Sequence, residues 1–185
     1  ITSRAVSNTQ GNKVGYTLQA RCAGPNAVSP SSATDAITYT TRILAPAAPT
    51  FTAPAEGATN VATNATVTWS AVTCPTATTV KYYTTKNMNA GVIDTTPTVI
   101  DNWTAGNSLV SNNTQGNRVG YTVAARCDGP NADSAATATD TLTYTTVINA
   151  PNAVTWIAPT PAEDATRIPT NATIAWSSVT CATGT

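Results

Sequence analysis

The chain has 185 residues and no histidine, its net charge is zero, and only 10% of its residues are charged. Nucleic acids and anionic membranes are bound through clustered lysine and arginine, so this composition predicts that the protein does not bind nucleic acid. No apolar run approaches the ~20 residues that a membrane helix requires, and we therefore expect no membrane insertion.

The chain is an internal tandem repeat. The segment Asn8–Thr41 returns as Asn113–Thr146, shifted by 105 positions, with roughly 70% of the aligned residues identical. A second segment, Ala55–Cys74, returns as Ala162–Cys181, shifted by 107 positions. The order of these segments predicts three units, which are the C-terminal half of a first repeat at 1–44, a complete repeat at 45–149 and the N-terminal half of a third repeat at 150–185.

In chain order, the first repeat predicts the closing strands of a sandwich. Val14, Tyr16 and Leu18 alternate with polar or small residues, which is the period of a half-buried strand. The proline-rich segment Ala45–Pro54 predicts a short, stiff linker, and a second linker is predicted at Ala150–Pro159.

The complete repeat predicts about seven short strands. Val67, Trp69 and Ala71 are expected to face inward from the first strand, and Trp103 is expected to cover the core from a loop. No segment has an apolar period of 3.6 residues, so no helix is predicted. The predicted strands are Ala65–Val72, Thr79–Thr85, the short edge strands Val92-Ile93 and Thr98–Ile100, Ser108–Ser111, Arg118–Cys127, a closing strand through Leu142 and Tyr144, and Thr170–Val179 in the third repeat. The predicted core residues are Trp69, Tyr82, Tyr121, Val123, Leu142, Tyr144 and Trp176.

Three segments of the complete repeat, PAEGATNVATNATVTWSAV, VKYYTT and GYTVAARCDGPNADS, resemble bacterial fibronectin type III domains. The opening AEGATNVATNATVTW is also similar to bacterial Ig-like repeats of surface proteins. Members of the first family carry a tryptophan on strand B, a tyrosine on strand F and a small turn between F and G, and Trp69, Tyr121 and 128–131 match these positions. The resemblance implies an all-β chain of tandem Ig-like antiparallel β-sandwiches. The cysteine pair departs from most such domains, and the Arg-Gly-Asp tripeptide of some animal members is absent from the sequence.

The four cysteines occupy two fixed positions of the repeat. Without a close cysteine pair or a histidine, zinc binding is disfavoured, which leaves disulfides in a secreted chain or reduced, buried thiols. On the sandwich that the resemblance implies, Cys74 and Cys127 lie at the same end, so a bridge between them is expected. Cys22 and Cys181 then require partners outside this sequence, and a bond between these two could form only between chains. We expect the sequence to be a window in a longer tandem chain, the alternative being that half repeats of neighbouring chains complete each other.

No catalytic, cofactor-binding or metal-binding residue is predicted, and the protein is not expected to be an enzyme. The absence of histidine excludes a serine–histidine pair, and the nine acidic residues are scattered. Asp35 and Asp140 occupy the same repeat position and are expected to cap turns. Tyr82, Tyr83 and Trp103 are candidates for a sugar-binding surface, with packing as the favoured alternative. N-glycosylation triplets begin at Asn64, Asn102, Asn112 and Asn171.

These features predict a structural repeat of an extracellular filament or cell-surface fibre. The expected partners are copies of the same protein, with glycans or the cell surface as further candidates. Two alternatives share the repeats, namely the stalk of an adhesin that presents a binding tip, and spacer modules of a secreted polysaccharide-degrading enzyme.

Overall fold

The structure is a computed structural model that describes residues 2–75, 78–157, 162 and 164–181. Within these residues all regular structure is β-strand, as predicted, and no helix is found. The strands are β1 Lys13–Leu18, β2 Asp35–Thr40, β3 Phe51–Ala53, β4 Ala58–Val61, β5 Thr66–Trp69, β6 Thr79–Asn89, β7 Val92–Thr104, β8 Ser108–Val110, β9 Arg118–Asp128 and β10 Asp140–Thr146.

The complete repeat is a sandwich of two sheets. One sheet has the order β3-β5-β8, and the other has the order β4-β10-β9-β6-β7. Neighbouring strands are antiparallel except β4 and β10, which run parallel. A sheet of three strands packs on a sheet of five, and the chain crosses between the two sheets after β3, β4, β5, β7 and β8, which is an Ig-like arrangement. The predicted fold class is therefore confirmed.

The core lies between the two sheets and is dominated by one face of β9. Val119, Tyr121 and Val123 alternate along that face and are fully buried, as the period of two requires. Trp69 on β5 meets Tyr82 on β6 at 5.6 Å between ring centroids, with the rings at 63°, an edge-on geometry that aromatic pairs prefer. The core residues predicted correctly are Trp69, Tyr82, Tyr121, Val123, Leu142 and Tyr144.

Two strands were missed at the start of the complete repeat. The prediction that Ala45–Pro54 is entirely a linker is wrong, because Phe51–Ala53 forms β3 and pairs with β5. The N–H of Phe51 donates to Oδ2 of Asp140 at 2.8 Å, so this carboxylate joins β3 to the start of β10 instead of capping a turn. Strand β4 follows in the other sheet. The prolines around this segment are typical of a linker, and for that reason a strand of only three residues was not predicted.

The β6–β7 hairpin is longer than predicted. The expected short edge strands at Val92-Ile93 and Thr98–Ile100 are parts of one strand, Val92–Thr104. Ala90 and Gly91 connect it to β6, with φ angles of 50° and 78°, as in the two-residue turns that match the twist of a hairpin. Trp103 lies within β7 and not in a loop.

Other predicted boundaries also differ. Strand β5 ends at Trp69, so Ala71 lies beyond it and is exposed instead of facing inward. Positions 158–159 of the second predicted linker lie outside the described residues.

The two half repeats form only local structure within the described residues. In the first, β1 and β2 pair as an antiparallel hairpin from Lys13↔Thr40 to Leu18↔Asp35. In the third, Trp156 and Trp176 form an isolated bridge, and the strand predicted at Thr170–Val179 is not formed. The prediction that Trp176 is buried is wrong, because it is 59% exposed while its repeat equivalent Trp69 is 1% exposed. Trp69 is covered by Tyr82, and the described part of the third repeat supplies no such second sheet.

Candidate functional site: the two ends of the repeat

A disulfide fastens one end of the complete repeat. The structure contains the predicted bond between Cys74, which follows β5, and Cys127 near the end of β9, with Cα atoms 5.7 Å apart. Cys127 is fully buried, and its N–H donates to Oγ of Ser134 at 2.9 Å. The bond joins residues 53 apart in sequence, and in the chain-entropy model a loop of this length stabilises the fold by about 4 kcal/mol.

The cysteines of the half repeats occupy the equivalent positions. Cys22 and Cys181 are free and exposed in the structure. The N–H of Cys22 donates to Oγ of Ser29 at 2.9 Å, which repeats the contact of Cys127 with Ser134. This hydrogen bond is therefore the same in both copies, although β1 ends at Leu18 whereas β9 includes Cys127. That these two thiols have partners outside the sequence stays a prediction.

The Gly129-Pro130-Asn131 turn extends this end beyond β9 and reaches the first repeat. The side chain of Ile43, near the end of the first repeat, packs so closely on Gly129 that a Cβ there would overlap its Cδ1 atom. A Cβ at Gly11 would lie 2.6 Å from the same Cδ1 atom and 3.0 Å from Cδ of Pro130. Asn131 donates from Nδ2 to the carbonyl oxygen of Gly11 at 3.3 Å. We call these five residues the repeat joint.

The repeat joint was not predicted from the sequence. Ile43 is only 5% exposed although it lies in a segment without regular structure. Both glycines are required by close approach of the isoleucine rather than by a turn alone. The available signal was that glycine and isoleucine recur at these positions in the second copy, as Gly116 and Ile148.

A polar cluster at the opposite end of the complete repeat was also missed. Asn113 donates from Nδ2 to the hydroxyl oxygens of Tyr121 and Tyr144 at 3.0 and 3.1 Å. Its Oδ1 accepts from Nζ of Lys86 at 2.7 Å. Burial raises the pKa of Tyr121 well above its ordinary value, and burial lowers the pKa of Lys86. The equivalent Asn8 contacts Tyr16 and Tyr39 in the first repeat, so the cluster belongs to the repeat.

The three aromatic residues that were candidates for a sugar-binding surface, with packing favoured, are not on one surface. Tyr82 is buried in the core, whereas Tyr83 packs against Trp103 with ring centroids 5.4 Å apart. The guanidinium of Arg126 lies over the Trp103 ring, 4.3 Å from its centroid. Two carboxylates, of Asp128 and Asp133, each contact that guanidinium at 3.0 Å. One face of Trp103 is therefore covered by a paired cation, which favours the packing interpretation.

The remaining predicted positions are distributed over the surface. All four asparagines that begin glycosylation triplets are exposed, and they are Asn64, Asn102, Asn112 and Asn171. In the described part of the chain, no three histidine, cysteine or acidic residues are grouped so that they could hold a metal ion. A search of the same residues finds no helix with the length and apolar character needed to cross a membrane.

Comparison with known proteins identifies no family for this chain. No protein-family model matches the chain, and no curated protein matches it. Among solved structures, the chain is similar to the chicken CNTN1 FN1-FN3 domains, with 12% sequence identity and a TM-score of 0.34. The match covers 91% of this chain and 64% of that one. The fold class, an all-β chain with a fibronectin type III-like, Ig-like sandwich, is defined by the strand order given above.

Proposed function

We propose that the protein is a structural repeat of an extracellular filament or cell-surface fibre, in which successive units pack on one another. The observation that carries this proposal is the repeat joint. It places the end of one repeat against the Gly129-Pro130-Asn131 turn of the next, with Ile43 buried between them. A flexible spacer would need no such contact.

The energetics of the repeat joint favour a stiff connection. Full burial of an isoleucine side chain stabilises a contact by roughly 1.5–3 kcal/mol. Pro46 and Pro49 restrict the backbone immediately after Ile43, and Pro49 is itself fully buried. Because the contact is apolar and the chain is neutral, the repeat joint should depend little on ionic strength.

The disulfide supports an extracellular location. Structural disulfides persist in oxidising compartments and on cell surfaces, and they are rare in the cytosol. The bond between Cys74 and Cys127 lies at the end of β9, and Cys127 is fully buried. A small domain that is stabilised by a disulfide suits a fibre outside the cell.

The edge of the larger sheet offers a surface for lateral packing. Strand β7 spans 13 residues at the sheet edge, and Val92 and Ile93 on it are each 70% exposed. Val99 and Ile100 are exposed on the same strand. Long, apolar edge strands promote association with other chains. Copies of the same protein are the partners that we propose for this edge.

The proposal is tested by the size and location of the native material. Extracellular material separated on a denaturing gel, with and without reductant, should show either a very large covalent chain or a disulfide-linked series that collapses on reduction. Both outcomes fit a fibre and distinguish continuous from linked chains. The proposal would be contradicted if the native protein were found inside the cell and ran as a small monomer on the gel without reductant.

A further inference from the structure

At the repeat joint, Gly11 and Ile43 form the surface on which the Gly129-Pro130-Asn131 turn packs. The sequence contains a second copy of this surface, and that copy is exposed to solvent. Ile148 corresponds to Ile43, and Gly116 corresponds to Gly11. Ile148 is 55% exposed, whereas Ile43 is 5% exposed. We call Gly116 and Ile148 together the open half-joint.

The backbone beneath the open half-joint is already in the form seen at the repeat joint. In both copies a threonine hydroxyl shares its one hydrogen between two carbonyl oxygens of the turn before the hairpin, at 2.6 and 3.1 Å. A glutamine Oε1 in both copies accepts from the backbone N–H just after the isoleucine, at 3.2 and 3.0 Å. The residues are Thr41 and Gln10 in the first copy, and Thr146 and Gln115 in the second. No rearrangement of this backbone is needed to receive a turn.

A second copy of the turn is likewise formed and uncovered. Gly24-Pro25-Asn26 corresponds to Gly129-Pro130-Asn131 and is exposed throughout. Flanking bridges pair Ala23 with Val28 and Asp128 with Asp133, so both turns have the same closure. Apart from the carbonyl oxygen of Ala27, at 3.2 Å, nothing would lie within 4 Å of a Cβ at Gly24.

We propose that the open half-joint is a docking site for the Gly-Pro-Asn turn of another repeat unit of this same sequence. In the docked state the Ile148 side chain packs on the turn glycine, and the turn asparagine donates to the carbonyl oxygen of Gly116. This inference rests on the proposed function and gives it a residue-level contact. It makes the repeat joint a head-to-tail connection that each unit can form at both ends.

The geometry selects the occupant. At the repeat joint a Cβ on Gly129 would lie 2.0 Å from Cδ1 of Ile43 and 2.5 Å from the carbonyl oxygen of Ala132, so a side chain at that position would disturb both the turn and its approach to the isoleucine. The asparagine then supplies the polar contact, through Nδ2 of Asn131 and the carbonyl oxygen of Gly11. A Gly-Pro-Asn turn meets both requirements, and the repeat presents one per unit.

The first experiment extends the full chain with a second copy of residues 79–149. Thr185 corresponds to Thr78 in the repeat, so the extension completes the third repeat and gives it its own Gly-Pro-Asn turn. Isoleucine δ1-methyl NMR with a soluble paramagnetic agent then reports solvent access at each isoleucine. In the 185-residue chain Ile148 should relax strongly and Ile43 weakly, whereas in the extended chain Ile148 should be protected to the level of Ile43. Valine at the appended copy of Gly129 should abolish that protection, which makes it the matched control.

A second experiment does not require the third repeat to fold. Unlabelled 185-residue chain is titrated to millimolar concentration into the methyl-labelled chain, and the Ile148 resonance should shift while that of Ile43 stays unchanged. The Gly24→Val variant, added in the same way, should leave Ile148 unshifted. The inference is overturned if Ile148 stays exposed in the extended chain while the methyl group of Ile174 becomes protected, or if neither experiment changes Ile148. Ile174 is 56% exposed and its repeat equivalent Val67 is fully buried, so its protection reports that the third repeat has folded. Native material of fibre size would in that case leave the proposed function standing.

Discussion

Asn113 shows at the residue scale how the repeat satisfies polar groups next to its core. Its amide contacts the hydroxyls of Tyr121 and Tyr144 and the ammonium of Lys86. Each buried polar group that loses its partner costs about 1–3 kcal/mol. The same asparagine and two tyrosines recur in the first repeat as Asn8, Tyr16 and Tyr39. The cluster is therefore part of what defines the unit.

Replacing this amide should lower stability measurably. We expect Asn113→Ala to reduce the free energy of unfolding by about 1–3 kcal/mol, since two tyrosine hydroxyls lose their partner. Asn112→Ala is the matched control, because Asn112 is exposed, and it should change stability by no more than about 0.5 kcal/mol. Urea denaturation of both variants checks the prediction, and equal effects would contradict it.

Tyr121 should make the protein sensitive to alkali. Its pKa is raised by burial in the folded state, so the stability that it contributes is fully present below its unfolded pKa of ~10 and is lost above it. We expect the free energy of unfolding to fall by up to about 1.4 kcal/mol per pH unit above pH ~10. Tyr121→Phe should remove this dependence, as read from the difference between the two pH profiles. The lowered pKa of Lys86 acts in the opposite direction, because the folded state gains stability as the pH rises toward ~10.4. Lys86 is present in both the unmodified protein and the Tyr121→Phe variant, so its contribution cancels in the difference. Parallel profiles above pH 10 would show that Tyr121 does not titrate as described.

At the element scale, the disulfide and β9 act together. Cys127 ends the buried face of β9 that begins at Val119, and its bond to Cys74 ties the larger sheet to the chain that leaves β5. The remaining pair, Cys22 and Cys181, is exposed and bonded to nothing in the structure. The two pairs should therefore behave differently when they are removed.

The double variant Cys74→Ala/Cys127→Ala should lose about 4 kcal/mol of stability, as the chain-entropy model predicts for this loop. Cys22→Ala/Cys181→Ala, the matched control, should melt at the unchanged temperature. Calorimetry with and without reductant provides the check, since reductant should lower the melting temperature only where the Cys74–Cys127 bond is present. A melting temperature that ignores reductant in every variant would exclude a structural role for the bond.

Strands whose buried residues alternate were predictable from the sequence, and strands without such an alternation were not. Arg118–Cys127 was predicted almost to its end because Val119, Tyr121 and Val123 alternate with smaller or polar residues. Strand β3 was missed because three residues beside prolines carry no period, and its position depends on pairing with β5. The length of β7 was missed because its fully exposed segment has no buried face to produce an alternation. Trp176 was misplaced because burial depends on a facing sheet, which a pattern within one strand cannot report.

At the scale of the whole molecule, the repeat joint connects the first repeat to the complete repeat. The repetition was visible in the sequence, but the packing of Ile43 on Gly129 was not, since it joins residues far apart in the chain without any local period. A stiff connection between successive repeats is the property that distinguishes a fibre from flexibly linked spacer modules. The linker proline Pro49 and the buried Ile43 both act to limit motion there.

The most direct test of this account is the distance distribution between the first repeat and the complete repeat. Spin labels at the exposed positions Thr40 and Thr141, in a Cys22→Ser/Cys181→Ser background, can be measured by double electron–electron resonance. We expect one narrow distance distribution, which broadens in Ile43→Ala and is unchanged in Ile148→Ala. A distribution that is equally broad with and without Ile43 would contradict the central claim that the repeats are locked to each other.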